Sequence, residues 1–260
     1  MRKNTNLVII SCVVAMAFGV ASATDYCATT CGGTQNIGCN NNENWDSACP
    51  SDKTLLDLTT ADKNLIVALH NEHRDYIAGG NDPELNAACR MATMRWNDEL
   101  AYLASLNVRS CAMRHDACHN TDAFKFAGQN LAWVGFFPPL NATSSIITSV
   151  DMWYNEVSNT KQAYIDAYPS GYSGPTIGHF TVMVADRNTD VGCAVSTYSV
   201  SGQSYKAFLM ACNYATTNIL GVKMYKSCSS SAQECTTGRN SQYSNLCSAN
   251  EQYDPNNLSY

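Results

Sequence analysis

The chain has 260 residues, of which 45% are hydrophobic and 15% charged, and its formal net charge at pH 7 is −6. A chain of this length can bury one sizeable hydrophobic core, so any disulfides supplement packing rather than replace it. The negative charge argues against nucleic acid or an anionic membrane as the main partner.

Residues 1–23 have the pattern of a secretory signal peptide. Arg2 and Lys3 precede an apolar stretch that ends at the typical cleavage sequence Ala21-Ser22-Ala23. The apolar stretch is too short for a membrane span, and no later segment reaches the roughly 18 uninterrupted apolar residues that a span requires. We therefore expect a secreted, extracellular protein that begins near Thr24 and has a net charge of −8.

The cysteine count supports the same interpretation. Removal of the signal peptide removes Cys12 and leaves twelve of the thirteen cysteines. An even number in a secreted chain predicts a disulfide framework, here of six bridges, and an oxidising compartment argues against a zinc finger. Residues 24–60 are rich in Cys, Asn, Gly and Thr and lack hydrophobic periodicity. This pattern indicates either an irregular, disulfide-linked segment that leads into the domain, which we favour, or a small interaction module.

Three segments have the three- and four-residue spacing of apolar side chains that predicts helices. The first covers 61–78, the second follows the capping residue Asn97, and the third covers 144–161. His70 lies in the first helix at its boundary with the core, where a histidine is more often hydrogen-bonded than bound to a metal. The sequons at Asn141 and Asn257 predict surface glycosylation sites.

The predicted strands cover residues 126–137, 179–185, 190–199 and 204–213. The first is ended by Pro138-Pro139, and the segment 179–185 alternates apolar and polar residues. The last two strands form a hairpin. If Gly202-Gln203 is a two-residue turn, Cys193 lies directly opposite Cys212, within bridging range.

His179 opens the alternating segment, where its ring is available to distant partners. We consider His115, Glu156 and Gln129 as those partners, because two histidines, a carboxylate and an amide can form a divalent-metal site or a polar cleft. On helix geometry alone, Glu156 could equally be a solvated residue on the flank of its helix. His115 and His119 lack the His-Glu-x-x-His pattern of zinc proteases. The cysteines of this segment instead predict a disulfide-anchored loop that fixes His115.

The chain resembles the CAP superfamily, which includes cysteine-rich secretory proteins, venom antigen-5 proteins and plant pathogenesis-related proteins. Seven short motifs occur in the order of that superfamily: Trp96–Tyr102, His115–Cys118, Gly128–Ala132, Met152–Glu156, Gly178–Thr181, Val191–Cys193 and Cys212–Tyr214. The N-terminal sequence Asp25-Tyr26-Cys27 resembles the insect antigen-5 branch, and the resemblance covers roughly residues 25–225.

The resemblance implies an α+β fold, a three-layer α-β-α sandwich with a central antiparallel sheet and a surface cleft. It divides the chain into a signal peptide (1–23), a Cys-rich N-terminal extension (24–60), a CAP domain (61–225) and a Cys-containing C-terminal extension (226–260). The family pattern also suggests disulfide pairs: Cys27–Cys39, Cys31–Cys118, Cys49–Cys111, Cys193–Cys212 and Cys235–Cys247, which leaves Cys89–Cys228.

The family cleft contains two histidines and two acidic residues, and in several members it can bind zinc or another divalent ion. His115 and His179 match the histidines and Glu156 matches one acid, whereas Gln129 occupies the second acidic position. An amide is a weaker ligand than a carboxylate and cannot act as a general base, so we expect weak or pH-dependent metal binding and no certain cofactor. Val182 also departs from the family, which usually has Gln there.

We predict a secreted, non-enzymatic antigen-5-like protein, monomeric, whose partner is an extracellular protein or a small lipid. One alternative is a metal-dependent hydrolase or protease that uses the same cleft. A second is a small lipid or sterol carrier, with residues 131–140 and 164–172 lining an apolar groove. In a third, the polar cleft residues only brace the sheet against the helices.

Overall fold

The computed structural model describes residues 24–259, so the predicted signal peptide lies outside the described residues. In chain order, the helices are α1 (Thr60–Ala78), α2 (Asp98–Val108), α3 (Ala142–Tyr154), α4 (Gln162–Asp166) and α5 (Gly178–Met183). The strands are β1 (Thr54–Leu55), β2 (Arg95–Trp96), β3 (Gly128–Phe136), β4 (Asp190–Ser199) and β5 (Lys206–Tyr214).

The strands form one sheet with the order β1-β4-β5-β3, in which every neighbouring pair is antiparallel, and β2 adds a short parallel pairing to β4. In the β4–β5 hairpin, Cys193 is paired with Cys212, so the register predicted from the turn is confirmed. The ladder ends at Ser199 and Lys206, and a turn closes where Gln203 N–H donates to Val200 O at 3.0 Å. The turn therefore begins one residue earlier than predicted, but the strands have no bulge and their register is unchanged.

Helices cover both faces of the sheet and confirm the predicted sandwich. Alternate side chains of β4 and β5 point to opposite faces. Val195 and Met210 pack with Trp153 in the core under α1, α3 and α5, whereas Ala194 and Ala211 belong to the core under α2. Because both faces are covered, nearly every residue of β4 and β5 is buried.

The predicted strand at 179–185 is wrong, because Gly178–Met183 forms the short helix α5. Phe180, Val182 and Met183 are all buried, so the apparent alternation does not separate a buried face from an exposed one. The side chain of Thr181 donates to the carbonyl oxygen of Ile177 at 2.9 Å, one helical turn earlier. Over six residues, an apolar pattern does not distinguish a buried helical turn from a strand.

Other boundaries differ less. The first helix begins at Thr60 and is capped by Thr59 through a capping box with Asp62. The third helix, predicted to cover 144–161, begins earlier at the cap Asn141, ends at Tyr154 and continues as a 3₁₀ turn over Asn155–Asn159. Helix α4 was not predicted from the sequence, and it overlaps the start of the segment 164–172.

Six disulfides join the described chain, and they are the six pairs named above: Cys27–Cys39, Cys31–Cys118, Cys49–Cys111, Cys89–Cys228, Cys193–Cys212 and Cys235–Cys247. Two of them attach the N-terminal extension to the loop that carries His115, one on each side of that residue.

No helix within residues 24–259 combines the length and the apolar character that a membrane crossing requires.

Candidate functional site

A polar cleft of about 240 Å³ opens between the loop after α2, the start of β3 and the start of α5. His115, Gln129 and His179 line it, together with Asn130, Tyr168, Thr176, Gly178, Val182, Thr217 and Asn218. The structure therefore brings together both histidines and the amide that the sequence selected. The fourth residue, Glu156, lies behind His179 and is buried, with 8% of its surface exposed.

Glu156 is held by the N-terminus of α5. Its Oε2 accepts hydrogen bonds from the backbone N–H groups of His179 and Phe180, at 2.8 and 3.1 Å. Its Oε1 lies 2.6 Å from Nδ1 of His179, which donates to it. The prediction that Glu156 faces a cleft therefore needs refinement, because this carboxylate orients His179 instead of lining the opening.

The charge of Glu156 is stabilised by these contacts. Burial alone would raise the pKa of its carboxyl group, but the hydrogen bond and positive charge of His179 and the N–H of Phe180 outweigh burial and lower the pKa below its usual range. With Nδ1 engaged, His179 has Nε2 as the ring nitrogen that remains for a ligand. A carboxylate behind a histidine is a common way to orient a metal-binding imidazole.

Gln129 has the corresponding position behind His115. Its Oε1 lies 2.9 Å from Nδ1 of His115, and its Nε2 donates to Asp116 Oδ2 at 2.6 Å and to Asn213 Oδ1 at 2.9 Å. Both polar ends of the Gln129 side chain are thus used within the protein. The sequence treated Gln129 as a weakened metal ligand, whereas in the structure it is a hydrogen-bonding partner of one.

Asp116 is the centre of the network on this side of the cleft, and the sequence did not select it. Its Oδ1 accepts from His119 Nδ1 at 2.7 Å, and its Oδ2 accepts from Asn107 at 2.9 Å as well as from Gln129. Burial raises the pKa of Asp116, but the hydrogen bond and charge of His119 and the bonds from Gln129 and Asn107 outweigh it and lower the pKa. Its position next to His115 in the sequence was the one feature that could have indicated Asp116 as a site residue.

Asn130 connects the backbone of α5 with Tyr214 on β5. The sequence analysis did not identify it as a site residue. Its Nδ2 donates to the carbonyl oxygen of His179 at 3.0 Å and to the hydroxyl of Tyr214 at 3.2 Å. It therefore fixes the backbone of α5 against β3.

His119, four residues after His115, lies behind the cleft and contacts Asp116 and the carbonyl oxygen of Ala127. The two histidines at that spacing do not form a shared site.

Each cleft histidine keeps one ring nitrogen for a ligand. His115 and His179 each have Nδ1 engaged, so each can offer Nε2, and neutral imidazoles suit Zn²⁺ and similar ions. Within residues 24–259, the donor atoms of His115, His179 and Glu156 do not all lie within 4.8 Å of one another. Two nitrogens without a third protein ligand predict modest affinity, with solvent at the remaining positions.

Part of the apolar segment 131–140, a predicted groove lining, packs in the core. Leu131 and Trp133 pack in the core under α2, and Leu140 packs against the core under α3. Of the Tyr-rich segment, Tyr168 lines the polar cleft.

The family model for CAP, the cysteine-rich secretory protein family, matches residues 67–214. Venom allergen-1 of Aedes aegypti is 40% identical over 229 residues, which is 87% of this chain and 88% of that protein. The antigen 5 like allergen Cul n 1 of Culicoides nubeculosus is 44% identical over 165 residues, or 64% of this chain and 75% of that protein. The chain therefore belongs to the CAP family, with insect venom allergen and antigen-5 proteins among its relatives.

Solved structures show the same fold at lower identity. The crystal structure of NaASP2 with Zn²⁺ has a TM-score of 0.62 and 19% identity, and the match covers 77% of this chain and all of that one. The structure of Na-ASP-1 also has a TM-score of 0.62, at 21% identity, over 78% of this chain and 50% of that one. These matches support the α-β-α architecture.

Proposed function

We propose that the protein is a secreted, non-enzymatic CAP protein of the antigen-5 type, whose polar cleft binds a divalent cation weakly through Nε2 of His115 and His179. The observation that carries the proposal is the pairing of each histidine, through Nδ1, with a side chain buried behind it: Gln129 in one case and Glu156 in the other. Such pairing fixes the ring and leaves Nε2 for a ligand.

The carboxylates near the cleft favour binding over catalysis. A general base or acid works best when its pKa lies near the operating pH. The pKa values of Glu156 and Asp116 are both lowered, and both oxygens of each carboxylate accept hydrogen bonds. Neither carboxylate is therefore poised to activate a water at neutral pH, which is what the hydrolase alternative would require.

Secretion is supported by the disulfides and by the relatives. Six disulfides across residues 24–259 persist in an oxidising compartment. Sequencing the N-terminus of the secreted protein tests the prediction that it begins at Thr24.

Zinc titration calorimetry at about pH 7.5, well above the usual histidine pKa, tests the metal site. We expect one weak site in the wild type and loss of that site in the double variant His115→Ala/His179→Ala. His73→Ala is the matched control, because that histidine lies on α1, is paired with Asp151 and stacked on Tyr154, and does not line the cleft. No saturable binding by the wild type, or binding that survives in the double variant, would contradict the proposed site.

The non-enzymatic part needs its own measurement. The zinc-loaded protein is incubated with unfolded casein, and we expect no cleavage above that of the double variant. Cleavage that requires both cleft histidines would instead establish the hydrolase alternative.

A further inference from the structure

The orientation of the Gln129 amide is determined by its surroundings. Its Nε2 lies between two hydrogen-bond acceptors, Asp116 Oδ2 at 2.6 Å and Asn213 Oδ1 at 2.9 Å. The orientation of Asn213 is fixed in turn, because its Nδ2 donates to the carbonyl oxygen of Leu100 at 3.2 Å. An amide turned the other way would place its oxygen against both acceptors. The Oε1 atom of Gln129 must therefore point toward His115.

This orientation decides which nitrogen of His115 carries hydrogen. An amide oxygen only accepts, so Nδ1 of His115 must donate across the 2.9 Å contact. In the neutral ring, Nε2 then carries the lone pair and points away from the Gln129 contact. We propose that Asp116 and Gln129 are positioning residues that hold His115 as the tautomer with Nδ1 protonated and Nε2 free to bind a cation, an inference that rests on the metal function proposed above.

Both cleft histidines have a carboxylate behind Nδ1, but it acts directly on His179 and through an amide on His115. Behind His179, the carboxylate of Glu156 accepts directly from Nδ1. Behind His115, the carboxylate belongs to Asp116 and acts through the amide of Gln129. With glutamine at the family's second acidic position, a negative charge still lies one contact behind His115, on Asp116. The site is not an acidic site disabled by one substitution.

The variant Gln129→Glu distinguishes this inference from the simpler hypothesis that the cleft only lacks a second acidic residue. If the cleft only lacks a second acid, Gln129→Glu should strengthen zinc binding. In the arrangement described here, the new carboxylate would replace the N–H donor that contacts Asp116 and Asn213, placing two negative charges at hydrogen-bonding distance. The side chain would have to turn away, and the support of His115 would be lost.

Nitrogen NMR of the histidine rings reads the tautomer directly, without metal. At about pH 8, above the usual histidine pKa, we expect the neutral His115 ring to carry its hydrogen on Nδ1 in the wild type. Gln129→Met keeps a similar side-chain volume but removes the acceptor, and we expect His115 to shift toward the Nε2-protonated form. His179 is the internal control, since Glu156 is untouched and its signals should not move.

Zinc titration of the same variants supplies the second readout. We expect Gln129→Met and Gln129→Glu each to weaken zinc binding by about tenfold or more, the effect typical of residues behind metal ligands. Tighter binding by Gln129→Glu would overturn the inference, and so would a wild-type His115 ring protonated on Nε2. If the wild type binds no zinc, the proposed metal function fails, and the NMR result alone still decides the tautomer of His115.

Discussion

Nε2 of His70 lies 2.9 Å from the hydroxyl oxygen of Tyr214, in the fully buried layer between α1 and β5. Nδ1 of the same ring donates to the carbonyl oxygen of Ile66 at 2.7 Å. The neutral ring has only one hydrogen to donate, so Tyr214 donates to Nε2 and accepts from Asn130. Since Asn130 also holds the carbonyl oxygen of His179, this chain of bonds runs from α1 to the cleft.

Tyr214→Phe should destabilise the fold. The substitution leaves Nε2 of His70 and one N–H of Asn130 without the partner they have now, and we expect a loss of about 1–3 kcal/mol in the free energy of unfolding. Urea denaturation measures it. Tyr225→Phe is the matched control, because the Tyr225 hydroxyl is buried too but donates only to the carbonyl oxygen of Asn86. Equal losses in the two variants would argue against a special role for the His70–Tyr214–Asn130 chain.

The buried His70 should make stability depend on pH below neutrality. Burial lowers the pKa of His70 to about 4, from an unfolded value of about 6.5. Between these two values the unfolded state takes up a proton that the folded state does not, so stability falls as the pH falls. The full loss from this residue is about 3 kcal/mol. His70→Gln should flatten the change in unfolding free energy between about pH 7 and pH 5; an unchanged slope would contradict this assignment.

Glu156→Gln should affect both zinc binding and stability in acid. The carboxylate orients His179, so we expect zinc affinity to fall about 10- to 100-fold. Because folding lowers the pKa of Glu156, its stabilising effect is present above about pH 4.3 and is lost as the pH falls through the folded value. The stability difference between wild type and variant should therefore shrink in acid.

The control for that variant is Asp151→Asn, on helix α3. Asp151 is paired with His73 at 3.5 Å, and its side chain is 47% exposed. A pair of this kind contributes about 0–1 kcal/mol. We expect a small change in the free energy of unfolding and no change in zinc affinity. A zinc effect as large as that of Glu156→Gln would show that the loss does not come from the orientation of His179.

Glu251 should be the main polar anchor of the C-terminal extension. Its carboxylate accepts from the backbone N–H and the hydroxyl of both Thr236 and Thr237, and from Arg90 Nε at 2.8 Å. Burial raises its pKa, but the bonds from Thr237 and Thr236 outweigh burial and lower it to about 2. We expect Glu251→Gln to cost about 2 kcal/mol near neutral pH and to speed proteolysis within 226–259.

The stabilising effect of Glu251 should persist to unusually low pH. It is present above about pH 4.3 and is lost only as the pH falls toward 2. Glu234→Gln is a suitable control, because Glu234 pairs with Lys226 at the surface and its side chain is 40% exposed. Similar proteolysis of both variants would mean that Glu251 is not the anchor.

The parts of the fold predicted correctly from sequence depend on local rules. Asn97 caps its helix because its side chain accepts from the nearby backbone N–H of Leu100. The Cys193–Cys212 register is predicted correctly, although the observed turn begins one residue earlier than the predicted one. Helix α5 could not be predicted in this way, because its buried pattern depends on the helices and the 3₁₀ turn that pack around it.

The site was predicted by residue type but not by role. His115, His179, Gln129 and Glu156 do meet at one place, as the motifs indicated. The sequence could not distinguish a ligand from the residue that orients a ligand, because that depends on which atoms face each other across separate elements. The contribution of Asp116 was missed for the same reason, since its partners Asn107, His119 and Gln129 lie on three different segments.

The disulfides that flank His115 reach outside the part of the chain that the family model matches. Cys111 and Cys118 lie within residues 67–214, but their partners Cys49 and Cys31 do not. A chain shortened to the matched residues would therefore carry one of these unpaired thiols on each side of a cleft histidine. The N-terminal extension is in this sense covalently joined to the loop that carries His115, and the smallest unit in which the site can be studied begins before Cys31.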